Sequence, residues 1–260
     1  MTASYFTRSD GDWFRPTEYA RGPWDEASCH AGPVTALLVR AIEQLVEDKQ
    51  LVRITVELLR PVPMSGFSVR ALVARTGRSV SRTNAEVYDD EAVFAQAVGV
   101  HIRTEHLEDV PTPQVELPNF GDTVAGPFNV DTLHDAIWFA DGVECRFPSD
   151  ADVENGGPLT IWMRNRVATL PGEASSPFEK LAPLADCANG VSRNGKLGSF
   201  SPLNVDLTMS LVRPPIGDWF GSQSISHWQP NGIGQTDAEL FDQHGRVGRA
   251  MQSLVLGGRS

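Results

Sequence analysis

Two stretches decide how this chain is read: ITVELLRPV at residues 54–62 and LTMSLVRPP at residues 207–215. Thr55, Leu58, Arg60 and Pro61 in the first meet Thr208, Leu211, Arg213 and Pro214 in the second, each 153 positions further on. The spacing holds without a gap to TNAEVYDD (83–90) and TDAELFDQ (236–243), where Thr83, Ala85, Glu86 and Asp89 meet Thr236, Ala238, Glu239 and Asp242. Ala97 then meets Ala250. A register kept over about 40 residues marks the chain as two copies of one unit.

Each copy reads as antiparallel β. Residues 51–60, 67–76, 79–89 and 92–103 are rich in Val, Ile, Thr and Phe, and turn formers such as Pro61-Val62-Pro63 and Thr76-Gly77-Arg78 separate them. In the second half 203–213, 220–228, 233–242 and 246–256 follow suit, and LTIWMRNRVAT (159–169) alternates as a further strand. The short connections favour hairpins over βαβ crossovers.

One helix precedes each set of strands. In GPVTALLVRAIEQLVED (32–48), Leu37, Leu38, Ala41, Ile42, Leu45 and Val46 form one apolar stripe, with Pro33 suited to the first helical position. In SSPFEKLAPLADCANG (175–190), Ser176 and Glu179 make a capping box around Pro177, Pro183 implies a kink or a late start, and Asn189-Gly190 offers a stop. A helix wrapped by an antiparallel sheet, twice, is an α+β double hotdog. The predicted layout is a first unit over 1–103, an acidic, proline-rich linker over 104–130, and a second unit over 131–260. The open sheet edge of one unit needs the other to complete it.

The bulk numbers narrow the chemistry. With 41% apolar and 21% charged residues the composition is that of an ordinary globular protein. No apolar run approaches the roughly 20 residues that span a bilayer, and the first ten residues lack the layout of a secretory signal, so a cytoplasmic protein without a membrane partner is expected. A net charge of −11 argues against nucleic acid as partner. Cys29, Cys145 and Cys187 suit neither a disulfide framework nor a zinc site, and read as reduced packing residues. The scattered histidines offer no metal site. There is no G-x-S-x-G elbow and no phosphate-binding glycine loop.

The stretches ARGPWDEASCHAGPVTALLVRAIE (20–43) and VELLRPVP (56–63), with NVDLTMSLVRPP (204–215) and DAELFDQHGRVGRAMQSLVL (237–256), resemble thioesterase-like double-hotdog proteins related to bacterial acyl-CoA thioesterase II. That resemblance implies a water-activating trio of Asp, Thr and Gln in the second unit. The aspartate falls on Asp186 in LADCANG and the glutamine on Gln252 in RAMQSLV. The threonine position, nine residues before the Arg of the RP pair, holds Asn204. In this reading Asp186 is the base, and Asn204 and Gln252 hold its water. A helix amino terminus would supply N–H groups for the thioester carbonyl.

Other residues carry two readings each. His30 and Gly32, at the start of the first helix, are candidate substrate contacts, although His30 also suits a helix cap. Arg75, Arg78 and Arg82 in ARTGRSVSR form a basic patch that could meet coenzyme A phosphates, or a solvated hairpin. The expected activity is hydrolysis of acyl-CoA to free acid and coenzyme A, with the acyl chain in an apolar tunnel between helix and sheet and no cofactor. The alternatives are a catalytically degenerate hotdog that binds acyl-CoA or a lipid-like ligand, favoured by the Asn204 departure, and a hotdog enoyl-CoA hydratase, whose Asp-x-Asn-x-x-His pattern is missing. Further pairing of double hotdogs into a homo-oligomer, a dimer or larger, is expected.

Overall fold

A computed structural model describes residues 3–258 other than 10, 114, 129, 131, 197 and 199. In the first half the strands are β1 (Phe6–Arg8), β2 (Trp13–Pro16), β3 (Gln50–Leu58), β4 (Phe67–Arg75), β5 (Val80–Tyr88) and β6 (Val93–Ile102). In the second they are β7 (Thr123–Gly126), β8 (Val143–Pro148), β9 (Leu159–Asn165), β10 (Phe200–Asn204), β11 (Asp206–Leu211), β12 (Phe220–Trp228), β13 (Ile233–Asp242) and β14 (Gly245–Gly258). All join one antiparallel sheet in the order β1-β2-β4-β5-β6-β3-β11-β14-β13-β12-β9-β8-β7, with β10 also on β14. This is the expected α+β double hotdog.

The halves meet at β3 and β11, where Thr208 lies directly opposite Thr55 and their hydroxyls are 3.1 Å apart. The two threonines are related by the 153-residue repeat, so a pseudo-dyad passes between them. The sequence repeat is therefore also the symmetry of the sheet. Along β5, Ser81, Thr83, Ala85 and Val87 point inward and their neighbours outward, the period-2 pattern of a sheet with one covered face.

Helix α1 (Ala31–Glu43) is buried nearly all round, so it is a core helix inside the curved sheet. It starts at Ala31, two residues before Pro33, because His30 caps it by accepting the Gly32 N–H. It ends at Glu43, which leaves Leu45 beyond the stripe and 36% exposed. Helix α2 (Pro177–Ala185) begins with the expected capping box. Pro183 lies inside it without ending it, and the break falls at Asp186 and Cys187, before the single turn α3 (Ala188–Val191). Asn189 and Gly190 thus lie within α3 rather than stopping a helix.

Three features were not expected from the sequence. Strands β1 and β2 extend the first half, β8 joins the second, and β7, inside the stretch 104–130, pairs with β8 at the far edge. The expected strand 203–213 is interrupted at Val205. Asn204 faces Leu254 of β14, but Thr208 faces Met251, so one extra residue is accommodated as a bulge. Asp206 holds that bulge through the Ser253 N–H and hydroxyl, at 2.6 and 3.0 Å. No helix among the described residues is long and apolar enough to cross a membrane.

Candidate active site

The break after α2 leaves Asp186 at a C-terminal cap position, 3% exposed, facing the end of β10. Its Oδ1 accepts the Asn204 Nδ2 amide at 2.8 Å and the Gln252 Nε2 amide at 3.2 Å. Gln252 also donates Nε2 to the Asp186 backbone carbonyl at 2.9 Å, and its Oε1 accepts the Asn189 N–H at 3.1 Å. The three trio positions thus converge on one carboxylate. Their placements differ: Asp186 and Asn204 border a cavity, whereas Gln252 is 0% exposed behind them. Gln252 bonds Asp186 and the Asn189 N–H of α3 from behind and is not among the residues lining the cavity.

His30 approaches from the other half. Its Nδ1 lies 3.2 Å from Asp186 Oδ2, and its ring stacks on Phe139 with centroids 4.3 Å apart. The Gly32 N–H points at the same place, 3.0 Å from Nδ1. Burial works against charge on both partners. It pushes the Asp186 carboxyl above the usual range, with His30, Asn204, Gln252 and the Gly32 N–H opposing, and it pushes His30 below its ordinary value, with Asp186 opposing. A carboxylate with this many donors keeps its charge better than a bare buried one.

The neighbouring thiols are not nucleophiles. Burial and the Asp186 charge raise Cys187 well above its ordinary value, and burial pushes Cys29 up to about 12, so both stay protonated. Among the described residues no three His, Cys, Asp or Glu groups are arranged to hold a metal ion.

The cavity has a volume of about 450 Å³. Its walls are largely apolar, with Trp24, Phe128, Trp138, Phe200 and Trp228 among them. It lies at the first turn of α1, the end of α2 and the Leu58 end of β3, with Ala31, Asp186, Cys187 and Leu58 among its lining residues. Arg75, Arg78 and Arg82 do not border it. They lie on the β4–β5 hairpin, at the sheet end marked by Gln50 and Ile102, whereas the cavity lies at the Leu58 end of β3. Nine residues of β3 separate the two ends, a span of roughly 25 Å at the usual strand rise. The basic residues on the cavity wall are Arg60, Arg193 and Lys196.

The comparisons with known proteins bear on the family and the fold. Residues 20–102 match the acyl-CoA thioesterase N-terminal domain, and residues 109–256 match the acyl-CoA thioesterase C-terminal domain. The chain belongs to the acyl-CoA thioesterase family. Similar solved structures include an inferred thioesterase from Novosphingobium aromaticivorans, 18% identical with a TM-score of 0.77 over 98% of this chain and 99% of that one. A hot dog fold protein from Alicyclobacillus acidocaldarius is 16% identical with a TM-score of 0.73, covering 100% and 98%. An acyl-CoA thioesterase II from Mycobacterium marinum is 15% identical with a TM-score of 0.69, covering 98% and 96%. At these identities the likeness is one of fold. A search of curated proteins finds no match.

Within this thioesterase-family chain the repeat shows why the cluster occurs in one half. The residues 153 positions before Asn204 and Gln252 are Leu51 and Gly99. A Cβ on Gly99 would meet the Thr83 hydroxyl first, then Ile42 Cγ2 at 2.8 Å and Leu51 Cδ1 at 3.1 Å, so the equivalent place is already occupied by other side chains. Sequence reasoning missed Phe139, which fixes the His30 ring, and Asn189, whose N–H orients Gln252. Neither carries a signal of its own in the sequence, because each matters only through contacts the fold creates.

Proposed function

We propose that the chain hydrolyses acyl-CoA to a free acid and coenzyme A by direct attack of water, with no covalent acyl-enzyme. The observation that carries this reading is a buried carboxylate, Asp186, fixed by Asn204, Gln252 and His30 at the wall of a cavity lined mostly by apolar groups. Asp186 supplies the basic charge that makes a water nucleophilic. Asn204 borders the space in which that water would stand, Gln252 positions the carboxylate from behind, and Ala31 brings the positive end of the α1 dipole to the cavity. The apolar wall takes the acyl group, and Arg60, Arg193 and Lys196 suit the anionic carrier.

The test is a panel of acyl-CoAs of different chain length with a thiol-reactive dye. Thiol release at some chain length is expected, and none at any length rejects the proposal. Thermal stabilisation by acyl-CoA without turnover would mark a binding protein instead. The His30–Asp186 contact favours one second reading, hydration of a 2-enoyl thioester, since such a pair could move a proton at the acyl α-carbon. Loss of enoyl absorbance on mixing with a 2-enoyl-CoA would reveal it.

A further inference from the structure

Asp186 is nearly enclosed. Its Oδ1 is taken by two amides and its Oδ2 faces the His30 ring, so little of it is left to meet a ligand. His30 is differently placed. Its Nδ1 is turned to Asp186, the ring borders the cavity, and the side chain keeps 13% exposure. No partner for its Nε2 occurs among the described residues, and that atom is not among the buried polar atoms left without one.

We infer that Asp186 acts through His30, and that His30 Nε2 is the atom that takes the proton from the attacking water. This rests on the hydrolase reading above. One proton lies between Nδ1 and Oδ2. With it on Nδ1, the ring no longer accepts the Gly32 N–H, which donates to the Asp186 carboxylate instead. The lone pair is then on Nε2, the ring nitrogen turned away from Asp186. Water attacks the thioester carbonyl carbon while its proton passes to Nε2. The imidazolium that forms is stabilised by Asp186, as in other carboxylate–imidazole pairs. The tetrahedral intermediate then collapses with cleavage of the C–S bond, and the departing thiolate takes the proton back from Nε2. The products are the free acid and coenzyme A thiol, with every proton accounted for. Phe139 fixes the ring plane through the 4.3 Å stack, which limits the rotation that would break the relay.

The groups facing this pair do not compete for the proton near neutrality. Cys187 and Tyr5 are raised well above their ordinary values and Cys29 to about 12, chiefly by burial, with the Asp186 charge adding to the rise at Cys187. Asp25 is held below its usual range by the Ala27 N–H and the Ser28 hydroxyl, and Arg60, Arg193 and Lys196 are the cations on the cavity wall.

The test uses His30→Asn, because Asn is itself a good helix cap and can accept the Gly32 N–H while offering no base. The variant is expected to melt near the wild-type temperature. Its turnover should fall at least ~100-fold, and the acidic limb of its pH profile should disappear. A folded His30→Asn protein with full turnover and an unchanged pH profile overturns the inference and leaves His30 as a cap alone. Nitrogen NMR of histidine-labelled protein decides the pair without any turnover. An Nδ1–H, Nε2-unprotonated ring at pH 8 that switches tautomer in Asp186→Asn supports it, and an Nε2–H ring in the wild type overturns it. A wild type that hydrolyses no acyl-CoA sinks the hydrolase reading, while the NMR result still stands on its own.

Discussion

The carbonyl oxygen of Pro183 lies 2.6 Å from where a Cβ on Gly32 would stand, and Pro183 Cα and His30 Nδ1 lie 3.0 Å from the same point. The first turn of α1 and the last turn of α2 therefore touch backbone to backbone at the site where His30 meets Asp186. Gly32 is required by that close approach. The proline adds to it: lacking an N–H, Pro183 loses one helical bond just before the chain turns out to present Asp186.

Gly32→Ala should force the two helices apart. Overpacking of this kind costs about 1–3 kcal/mol, and the His30–Asp186 distance of 3.2 Å would lengthen with it. The expected outcome is a lower denaturation midpoint together with a loss of activity larger than the loss of folded protein. Urea unfolding monitored beside turnover at low denaturant checks both. An unchanged midpoint would mean that the helix contact yields freely.

Asp186→Asn removes the charge while keeping the shape, and the Asn204 and Gln252 amides can still bond the remaining carbonyl. Turnover should fall by ~10²–10⁴ with little change in KM, the pattern of a group acting in the transition state. Gln252→Ala acts differently. It leaves the Asp186 carbonyl and the Asn189 N–H without their partner, and a buried group left unbonded costs about 1–3 kcal/mol. Stability and turnover should therefore fall together in Gln252→Ala but not in Asp186→Asn. Thermal melts beside initial rates separate the two.

Much of the fold could be read from residues alone because the repeat is strict. Phe67 and Phe220 begin β4 and β12, and Val80 and Ile233 begin β5 and β13, each pair at the spacing that relates Thr55 to Thr208. The bulge at Val205 could not be read, since it depends on Asp206 reaching Ser253 across the sheet. Asp186, Asn204 and Gln252 were found through family resemblance and not through any pattern of their own. The contact of His30 with Asp186 joins opposite halves, and no periodicity or spacing reports such a pair. Arg75, Arg78 and Arg82 misled for the complementary reason: a cluster dense in sequence can stand far from a site that the fold assembles elsewhere.

That placement makes a direct prediction for substrate affinity. Replacing Arg75, Arg78 and Arg82 together with glutamine should leave KM for acyl-CoA within about two-fold, because charges roughly 25 Å away lie beyond the screening length at physiological salt. Arg60→Gln, on the cavity wall, should raise KM and flatten its dependence on ionic strength. KM measured across a salt series checks both variants, and a rise in the triple variant matching that of Arg60→Gln would return the hairpin to the binding surface.

Glu43 sets a pH dependence of stability independent of the active site. It closes α1 against the start of α2, where it accepts the Ser176 hydroxyl. Burial raises its carboxyl from 4.5 to about 7, with the nearby Glu179 adding to the rise and Ser176 opposing it. A carboxyl raised in the folded state binds its proton more tightly there than in the unfolded chain. Its contribution to stability is complete below about pH 4.5 and is lost as the pH rises through about 7. Glu43→Gln keeps the acceptor for Ser176 and removes the titration. At pH 8 the variant should therefore be more stable than the wild type, by on the order of 2 kcal/mol, and the two should converge below pH 5. Urea midpoints across this range decide it, and parallel curves for the two proteins would show that Glu43 is already ionised without cost in the fold.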